Sequence, residues 1–195
     1  MNPKRLITVA FCLMMALMIA ACGKQVKKVD NEALEKEFAH APAWVLDGYL
    51  DGEISGVGSA RIGKGGIQFA RTEALAKARD ELARQVSVKV QSLVNNFVQQ
   101  AGLGDEQMAD AFSKQVTRQV TNETLAGSKQ REMWISPSSD LYVIVVMDAA
   151  TVKESVKKGV VSGLRQDDAR WQEYQAKNAD AELDKEIEKT FGGDK

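Results

Sequence analysis

The apolar residues of this chain follow their longest regular pattern from Ile67 to Ala101, and that pattern predicts a helix. Apolar side chains recur there every three or four residues, which places one apolar stripe along a helix. Alternating valines after Gln85 leave open a strand that begins at that point. Because the helical period continues through Phe97 without a helix breaker, we favour a single long helix, with Ser87 as the place for any bend.

The other apolar patterns predict three strands and two further helices. In chain order they are a strand over Ile54–Arg61, a helix capped by Asp105, a strand over Glu123–Ile135, a strand over Leu141–Met147, and a last helix. The last helix starts either at Asp148 or at Thr151, where Thr151 and Glu154 would form a capping box. The small residues of the first strand predict close packing. The strand over Leu141–Met147 is apolar throughout, so we expect it at the centre of the sheet, buried on both faces. Gly159 and Gly163 are expected to loosen the end of the last helix.

The segment Gly58–Gly65 is similar to a phosphate-binding loop but lacks one of its essential groups. It fits the first seven positions of the pattern G-x-x-x-x-G-K-[ST], and Gly65 stands where a hydroxyl should coordinate Mg²⁺. A nucleotide site is therefore not predicted there.

The N-terminus has the pattern of a bacterial lipoprotein signal. A short basic start precedes an apolar run over Leu6–Ala20, which ends in Ile19-Ala20-Ala21-Cys22. The run is too short to cross a bilayer as a helix, which needs about 20 residues. We predict cleavage between Ala21 and Cys22, which removes residues 1–21. An ordinary signal peptide with a cysteine there by chance is the alternative.

Cys22 is the predicted site of lipid attachment. Its thiolate is a nucleophile that can take an S-diacylglycerol group as a thioether, and cleavage frees its amine for an N-acyl chain. Several acyl chains together anchor a protein far more firmly than one chain does. The next residue is Gly23 rather than the aspartate that commonly marks inner-membrane retention in Gram-negative cells. We therefore expect a lipid-anchored protein of the outer membrane.

The composition excludes several classes of function. The formal net charge is −1, and loss of the basic start makes the mature chain more acidic, so nucleic acid is not an expected partner. With Cys22 acylated and Cys12 removed, no cysteine remains for a disulfide, a thiolate metal site or a nucleophile. His40 is the only histidine and lies in a predicted loop. We predict no catalytic residue, no metal site and no cofactor.

Two polar segments flank the predicted domain. Residues 22–41 are expected to form the lipidated N-terminus and a polar tether. Residues 163–195 are highly charged, and their large apolar residues are too sparse for a core helix, which favours a solvated helix. The alternative is a tail that docks on a neighbouring subunit or partner through Trp171 and Tyr174, because aromatic residues carry much of the energy of interfaces. Trp44, at the expected rim of the core, is a third candidate interface residue.

Several short motifs come in an order similar to that of the LPP20 lipoproteins. They are the signal that ends in Cys22, Pro42-x-Trp44-Val45, Gly56-x-Gly58-x-Ala60, the alanine-rich stretch Ala70–Ala83, and the hairpin from Trp134 to Asp148. The chain resembles that family over roughly Pro42 to Val160. The family includes surface antigens of the outer membrane and a lipoprotein that forms rings or discs at the flagellar base. The resemblance implies a dodecin-like β-α-β-β core and brings no catalytic residue.

The sequence thus predicts an α+β domain over residues 42–162, with a dodecin-like core, a three-stranded antiparallel sheet, a long helix, an extra helix and a C-terminal helical tail. We expect a structural or interaction module of the envelope rather than an enzyme. It would bind the lipid bilayer through Cys22 and either form a homo-oligomer or bind an envelope protein, at the flagellar base or in support of outer-membrane integrity. The alternative is a periplasmic lipoprotein that binds a small, flavin-like ligand, as dodecins do.

Overall fold

The computed structural model describes residues 31–192 of the chain. In chain order its elements are α1 (Asn31–Phe38), α2 (Ala43–Asp47), β1 (Glu53–Arg61), α3 (Gly66–Gln100), α4 (Glu106–Gly127), β2 (Lys129–Ile135), β3 (Asp140–Asp148), α5 (Ala149–Leu164), α6 (Asp168–Ala176) and α7 (Asp180–Phe191). The predicted α+β class is confirmed. Strand, long helix, strand and strand follow one another as expected, with α4 as the extra helix, and the dodecin-like detail stays a prediction.

The three strands form one antiparallel sheet in the order β1-β3-β2. β3 is central, as its apolar sequence predicted, and it is buried on both faces. One face carries Leu141, Val143 and Val145 into the main core against the helices. The other face carries Ile144 and Val146 into a smaller apolar cluster. The sheet therefore separates two apolar layers.

Helix α3 lies across β1 at very short distance. A Cβ atom placed on Gly58 would lie 2.2 Å from the carbonyl oxygen of Ala74, and one placed on Gly56 would lie 2.3 Å from that of Ala78. Carbon and oxygen atoms cannot approach so closely without repulsion, so only glycine permits this contact. The predicted close packing of the first strand is confirmed. Because Gly58 lies inside β1, the phosphate-binding pattern has no counterpart in the fold.

Helix α3 is continuous over 35 residues, so the alternative of a strand that begins near Gln85 is wrong. Its buried stripe runs from Ala70 through Leu82 and continues to Phe97. The first half of the stripe faces the sheet, and the second half faces α4 and α7. Near its end, the Phe97 ring lies 6.3 Å from that of Tyr174 in an edge-to-face arrangement.

Helix α4 takes the first residues of the strand predicted over Glu123–Ile135, so that part of the prediction is wrong. Asp105 caps the helix as expected. The buried face of α4 continues to Thr124, and the Thr121 hydroxyl shares a 3.0 Å hydrogen bond with the Ser87 hydroxyl of α3. These contacts along α3 favour one more helical turn, and the strand begins later, as β2.

Asp148 caps helix α5, the first of the two predicted starts. Its carboxylate accepts hydrogen bonds from the N–H and the hydroxyl of Thr151, both at 2.9 Å. The same two bonds hold the pKa of Asp148 below its ordinary value. Thr151 therefore lies inside the helix, and the capping box that starts at Thr151 is wrong. Gly159 and Gly163 do not loosen the helix, because both lie against side chains of α4 that their small size admits.

The C-terminal segment is part of the core, and the prediction that its apolar residues are too sparse for a core helix is wrong. Leu183, Ile187 and Phe191 of α7 are buried, and Leu183 is 0% exposed. These residues recur every fourth position, so one face of α7 is apolar although most of its other residues are charged. Tyr174 of α6 is buried beside them. The short apolar stripe of α7 is sufficient to bury this helix because it packs on the end of α3.

Gly58→Ala is expected to destabilise the domain because the added methyl group meets the α3 backbone. Overpacking typically costs about 1–3 kcal/mol, and backbone cannot yield as a side chain can, so we expect the upper end of that range. Gly63→Ala is the matched control, since a Cβ there has no atom within 4 Å. Urea denaturation followed by circular dichroism compares them. Equal free energies of unfolding would contradict the close approach.

Leu183→Ala is expected to lower the free energy of unfolding by about 2–5 kcal/mol, the usual cost of emptying a buried leucine site. Lys185→Ala, on the exposed side of the same helix, is the control and should change it by less than about 0.5 kcal/mol. Thermal and urea melts of the full chain measure both. A Leu183→Ala variant as stable as the control would show that α7 is not part of the core.

Candidate functional site

The residues predicted for lipid attachment and signal cleavage lie outside the part of the chain that the structure describes. Cys22 is the predicted lipid attachment site, Ala21 and Cys22 flank the predicted cleavage position, and residues 23–30 of the predicted tether also lie outside it. Over residues 31–192, no helix has the length and apolar character needed to cross a membrane. The described part of the candidate site therefore begins at Glu37 and Phe38 and includes the residues that they contact.

Glu37 ties the N-terminal segment to the turn of the β2–β3 hairpin. Its carboxylate accepts a hydrogen bond from the Ser138 N–H at 3.3 Å and another from the Ser138 hydroxyl. The hydroxyls of Ser136 and Ser138 hold the pKa of Glu37 below its ordinary value. The predicted tether therefore ends earlier than expected, because Asn31–Phe38 is helical and its last residues contact the domain. His40 is exposed in the following turn, as predicted.

Three aromatic rings continue the contact that Glu37 begins. Phe38 lies 6.1 Å from both Trp134 and Tyr142, measured between ring centroids, and the latter two are 5.5 Å apart. Aromatic pairs at such separations contribute about 0.5–1.5 kcal/mol each beyond their burial. Burial raises the pKa of Tyr142, and the nearby charges of Asp140 and Glu37 add to the effect. The phenol therefore stays neutral where the neighbouring carboxylates are charged.

Trp44 covers the outer face of β3 below this aromatic cluster. It is 3% exposed and packs with Ile144 and Val146. Its indole N–H donates a 2.8 Å hydrogen bond to the carboxylate of Glu132 on β2. The contact joins α2 to two strands of the sheet. Because the ring is already buried within its own chain, a role for Trp44 in an interface stays a prediction.

Trp171 and Tyr174, the other candidate interface residues, stack on each other with ring centroids 5.3 Å apart and planes at 17°. The Arg165 guanidinium lies 4.7 Å from the centroid of the Trp171 ring. The Tyr174 hydroxyl donates a hydrogen bond to Asp180, and burial raises the pKa of Tyr174 well above its usual value. These rings fasten α6 within the chain, so their predicted docking on a partner also stays a prediction.

Two shallow clefts lie beside the C-terminal helices. One, of about 600 Å³, runs between α5 and α7, and the other, of about 570 Å³, lies at the start of α5. Lys153 pairs with Glu188 and Lys157 with Asp184, both at 2.7 Å, so these charges already satisfy one another. The first cleft is lined by no aromatic side chain, and the second only by Phe191. Neither cleft therefore offers a pair of aromatic side chains between which a flavin ring could stack.

The described residues do not form a catalytic constellation. No group of three or more His, Cys, Asp or Glu side chains is placed to hold a metal ion between residues 31 and 192. The pKa values of Glu37, Asp148 and Asp167 are lowered by hydrogen bonds from hydroxyls and backbone N–H groups. These carboxylates are therefore charged acceptors at neutral pH rather than acids or bases that titrate near it. The hydrogen bonds of these carboxylates cap helices and hold segments of the chain together.

Sequence reasoning missed Glu37 and Phe38, which it assigned to the tether. A signal was present, because Phe38 is the only aromatic ring of Phe, Tyr or Trp between residues 22 and 41. A large apolar side chain in a polar segment indicates that something covers it. Ser138 gave no comparable signal, since serine is an ordinary residue of turns.

A family model supplies the comparison with known proteins. The model of the LPP20 lipoproteins matches residues 42–148, which is more than half of the 195 residues. The match covers the whole sheet with α3 and α4, and it ends at the last residue of β3. It leaves out Glu37, Phe38 and the three C-terminal helices. No curated protein matches the chain.

Glu37→Gln is expected to weaken the domain at neutral pH and not in acid. Because the folded-state pKa of Glu37 is lowered, its stabilising contribution is present above the ordinary carboxyl pKa and is lost as pH falls through the lowered value. Chemical denaturation at a series of pH values measures the difference between the two proteins. Glu35→Gln, exposed on the same helix, is the control. A difference that does not change with pH would contradict the contact with Ser138.

Proposed function

This chain belongs to the LPP20 lipoprotein family, and on that premise we propose that it is a lipid-anchored protein of the bacterial outer membrane. The family match carries the proposal, since membership indicates a lipoprotein of the envelope. The sequence Ile19-Ala20-Ala21-Cys22 precedes the matched region and supports Cys22 as the acylated residue. Gly23, in place of an aspartate, supports delivery to the outer membrane rather than retention at the inner one.

We propose a structural or interaction role for the folded domain. Its ionised side chains serve as helix caps, ion pairs and chain fasteners, which supports assembly better than catalysis. Self-association, or binding to an envelope protein such as those of the flagellar base, belongs to this proposal. The flavin-like alternative has no supporting contact in either cleft, and flavin absorbance bands in the purified protein would favour it.

The contacts of Glu37 and Phe38 offer a route by which a force on the proposed lipid anchor could pass to the folded domain. We propose that a load from the anchor enters the domain through these residues, which lie against the turn and the outer face of the β2–β3 hairpin. The central strand β3 shares backbone hydrogen bonds with both of its neighbours, so it distributes such a load across the whole sheet. A module tied to a membrane and to a partner needs this kind of attachment.

Cys22→Ser is expected to abolish incorporation of labelled palmitate and to move the protein from the outer-membrane fraction to the soluble fraction. The reason is that serine cannot form the thioether on which processing and N-acylation depend. Cys12→Ser, in the predicted signal, is the matched control and should leave both properties unchanged. A Cys22→Ser protein that is still labelled and still sediments with outer membranes would disprove the anchor.

The same strains test the interaction role when intact cells are treated with a crosslinker. An anchored module predicts self-crosslinked species or a crosslinked envelope partner that depend on Cys22, because two-dimensional confinement raises the effective concentration of copies. If only the monomer is recovered from wild-type cells, the scaffold role is contradicted while the anchor result stands.

A further inference from the structure

Three arginines lie on or beside strand β2, and within residues 31–192 none of them forms an ion pair with a carboxylate. Arg71 donates from Nε and Nη2 to the Gln130 side-chain oxygen at 3.0 and 2.7 Å. Arg79 donates from Nε to the Ser128 hydroxyl at 3.4 Å. Arg131 occupies the irregularity in the pairing of β2 with β3, between Gln130 and Glu132. Within residues 31–192, no carboxylate forms an ion pair with any of the three guanidinium groups.

Several other exposed cations of the described residues are neutralised by a nearby carboxylate. Lys77, Lys114 and Lys177, for example, each pair with a carboxylate one helical turn away, at 2.6–2.8 Å. The chain as a whole is slightly acidic, with a formal charge of −1. A local excess of positive charge on such a chain attracts an acidic ligand and repels a basic one.

Two exposed apolar side chains continue the same strip of surface. Met133 is 49% exposed and Ile135 is 42% exposed. Their strand partners on β3, Val143 and Leu141, point into the main core, so Met133 and Ile135 lie on the helix-facing side of the sheet. Helix α3 packs chiefly on β1 and β3 and therefore leaves this side of β2 uncovered.

β2 also has a free backbone edge. In the described part of the chain it pairs with β3 alone, so its other edge presents N–H and C=O groups to an incoming strand. The pairing with β3 is regular from Glu132 to Ile135. We call the strip formed by Arg71, Arg79, Arg131, Met133 and Ile135 the β2 margin. It offers main-chain hydrogen bonds, apolar contacts and guanidinium groups side by side.

We propose that the β2 margin binds an extended acidic segment of a partner protein as an added strand beside β2, with carboxylates and apolar side chains on the same face of that strand. Successive side chains of a strand point to opposite faces, so only every second residue of the segment faces Arg71, Met133 and Ile135. The inference rests on the interaction role proposed above and names the chemistry of the partner. A lipid headgroup would use the arginines alone. Pairing of β2 with β2 of a second copy would bring together two strands that each carry Lys129 and Arg131 against a single Glu132, which is an unfavourable charge balance.

The test uses the full chain purified in detergent and a fluorescein-labelled decapeptide with blocked ends, Val-Ser-Val-Ser-Glu-Ser-Glu-Ser-Glu-Ser, whose valines and glutamates share one face of a strand. Fluorescence anisotropy should show binding that weakens as salt is added. The same peptide with lysine in place of glutamate should not bind. Two further versions carry N-methyl groups, on the valines and glutamates in one and on the serines in the other. One of the two should lose binding, because one alternating set of N–H groups faces β2.

The combined variant Arg71→Gln, Arg79→Gln and Arg131→Gln should bind the acidic peptide roughly tenfold more weakly, the expected effect of losing three exposed charge pairs. The matched control is Lys89→Gln, Arg118→Gln and Lys158→Gln, which removes the same charge from exposed positions on α3, α4 and α5. Circular dichroism verifies the folding of both. The peptide controls act on the unaltered protein, so they decide the question even if the arginine variant does not fold.

Failure of the acidic peptide to bind, equal affinity in the arginine variant and the control, or binding of both N-methylated peptides would each overturn the proposal. Vesicles of phosphatidylglycerol that bind without peptide binding would assign the arginines to lipid instead. A change of oligomeric state in the arginine variant, again without peptide binding, would assign the edge to a second copy. None of these results depends on acylation, so a failure here leaves the outcome for Cys22→Ser unaffected.

Discussion

The contact between the backbones of α3 and β1 determines where every other layer of the domain can lie. Gly56 and Gly58 on the strand, with Ala74 and Ala78 on the helix, remove the side chains that normally keep a helix at a distance from a sheet. Many dispersion contacts between backbone atoms replace them. A helix held so close to β1 also covers the central strand β3 but not β2. The burial of β3 and the exposure of β2 therefore have the same cause, which is the position of α3 against β1.

The two faces of the sheet are covered in different ways. The helix-facing side belongs to a large core that includes α3, α4, α5 and α7. The other side is covered by a short length of chain held by Trp44, Phe38 and one carboxylate contact at Ser138. Regions with fewer buried contacts open at lower free energy than a main core. The N-terminal covering thus depends on fewer buried contacts than the main core does.

The sequence allowed accurate prediction where one physical signal acted alone. The unbroken apolar period gave α3, the continuous apolar run gave the central position of β3, and the small residues of β1 gave the close approach. Predictions failed where a tertiary contact outweighed a local pattern. The turn after Val120 is helical because α3 lies beside it. Helix α7 belongs to the core because its three apolar residues pack on the end of α3. The hydrogen bond between Glu37 and Ser138 joins residues 101 positions apart, and no local pattern reports such a pair.

Helix α3 is much longer than the strand it packs on. Its 35 residues extend about 52 Å at a rise of 1.5 Å each, whereas the nine residues of β1 extend about 30 Å. The remaining length carries α4 and α7 on the same uninterrupted stripe. A single helix that belongs to both halves of a core leaves no place for a hinge between them. The sheet end and the helical end of the domain therefore share one continuous helix, so a change in the spacing between them would have to bend α3 itself.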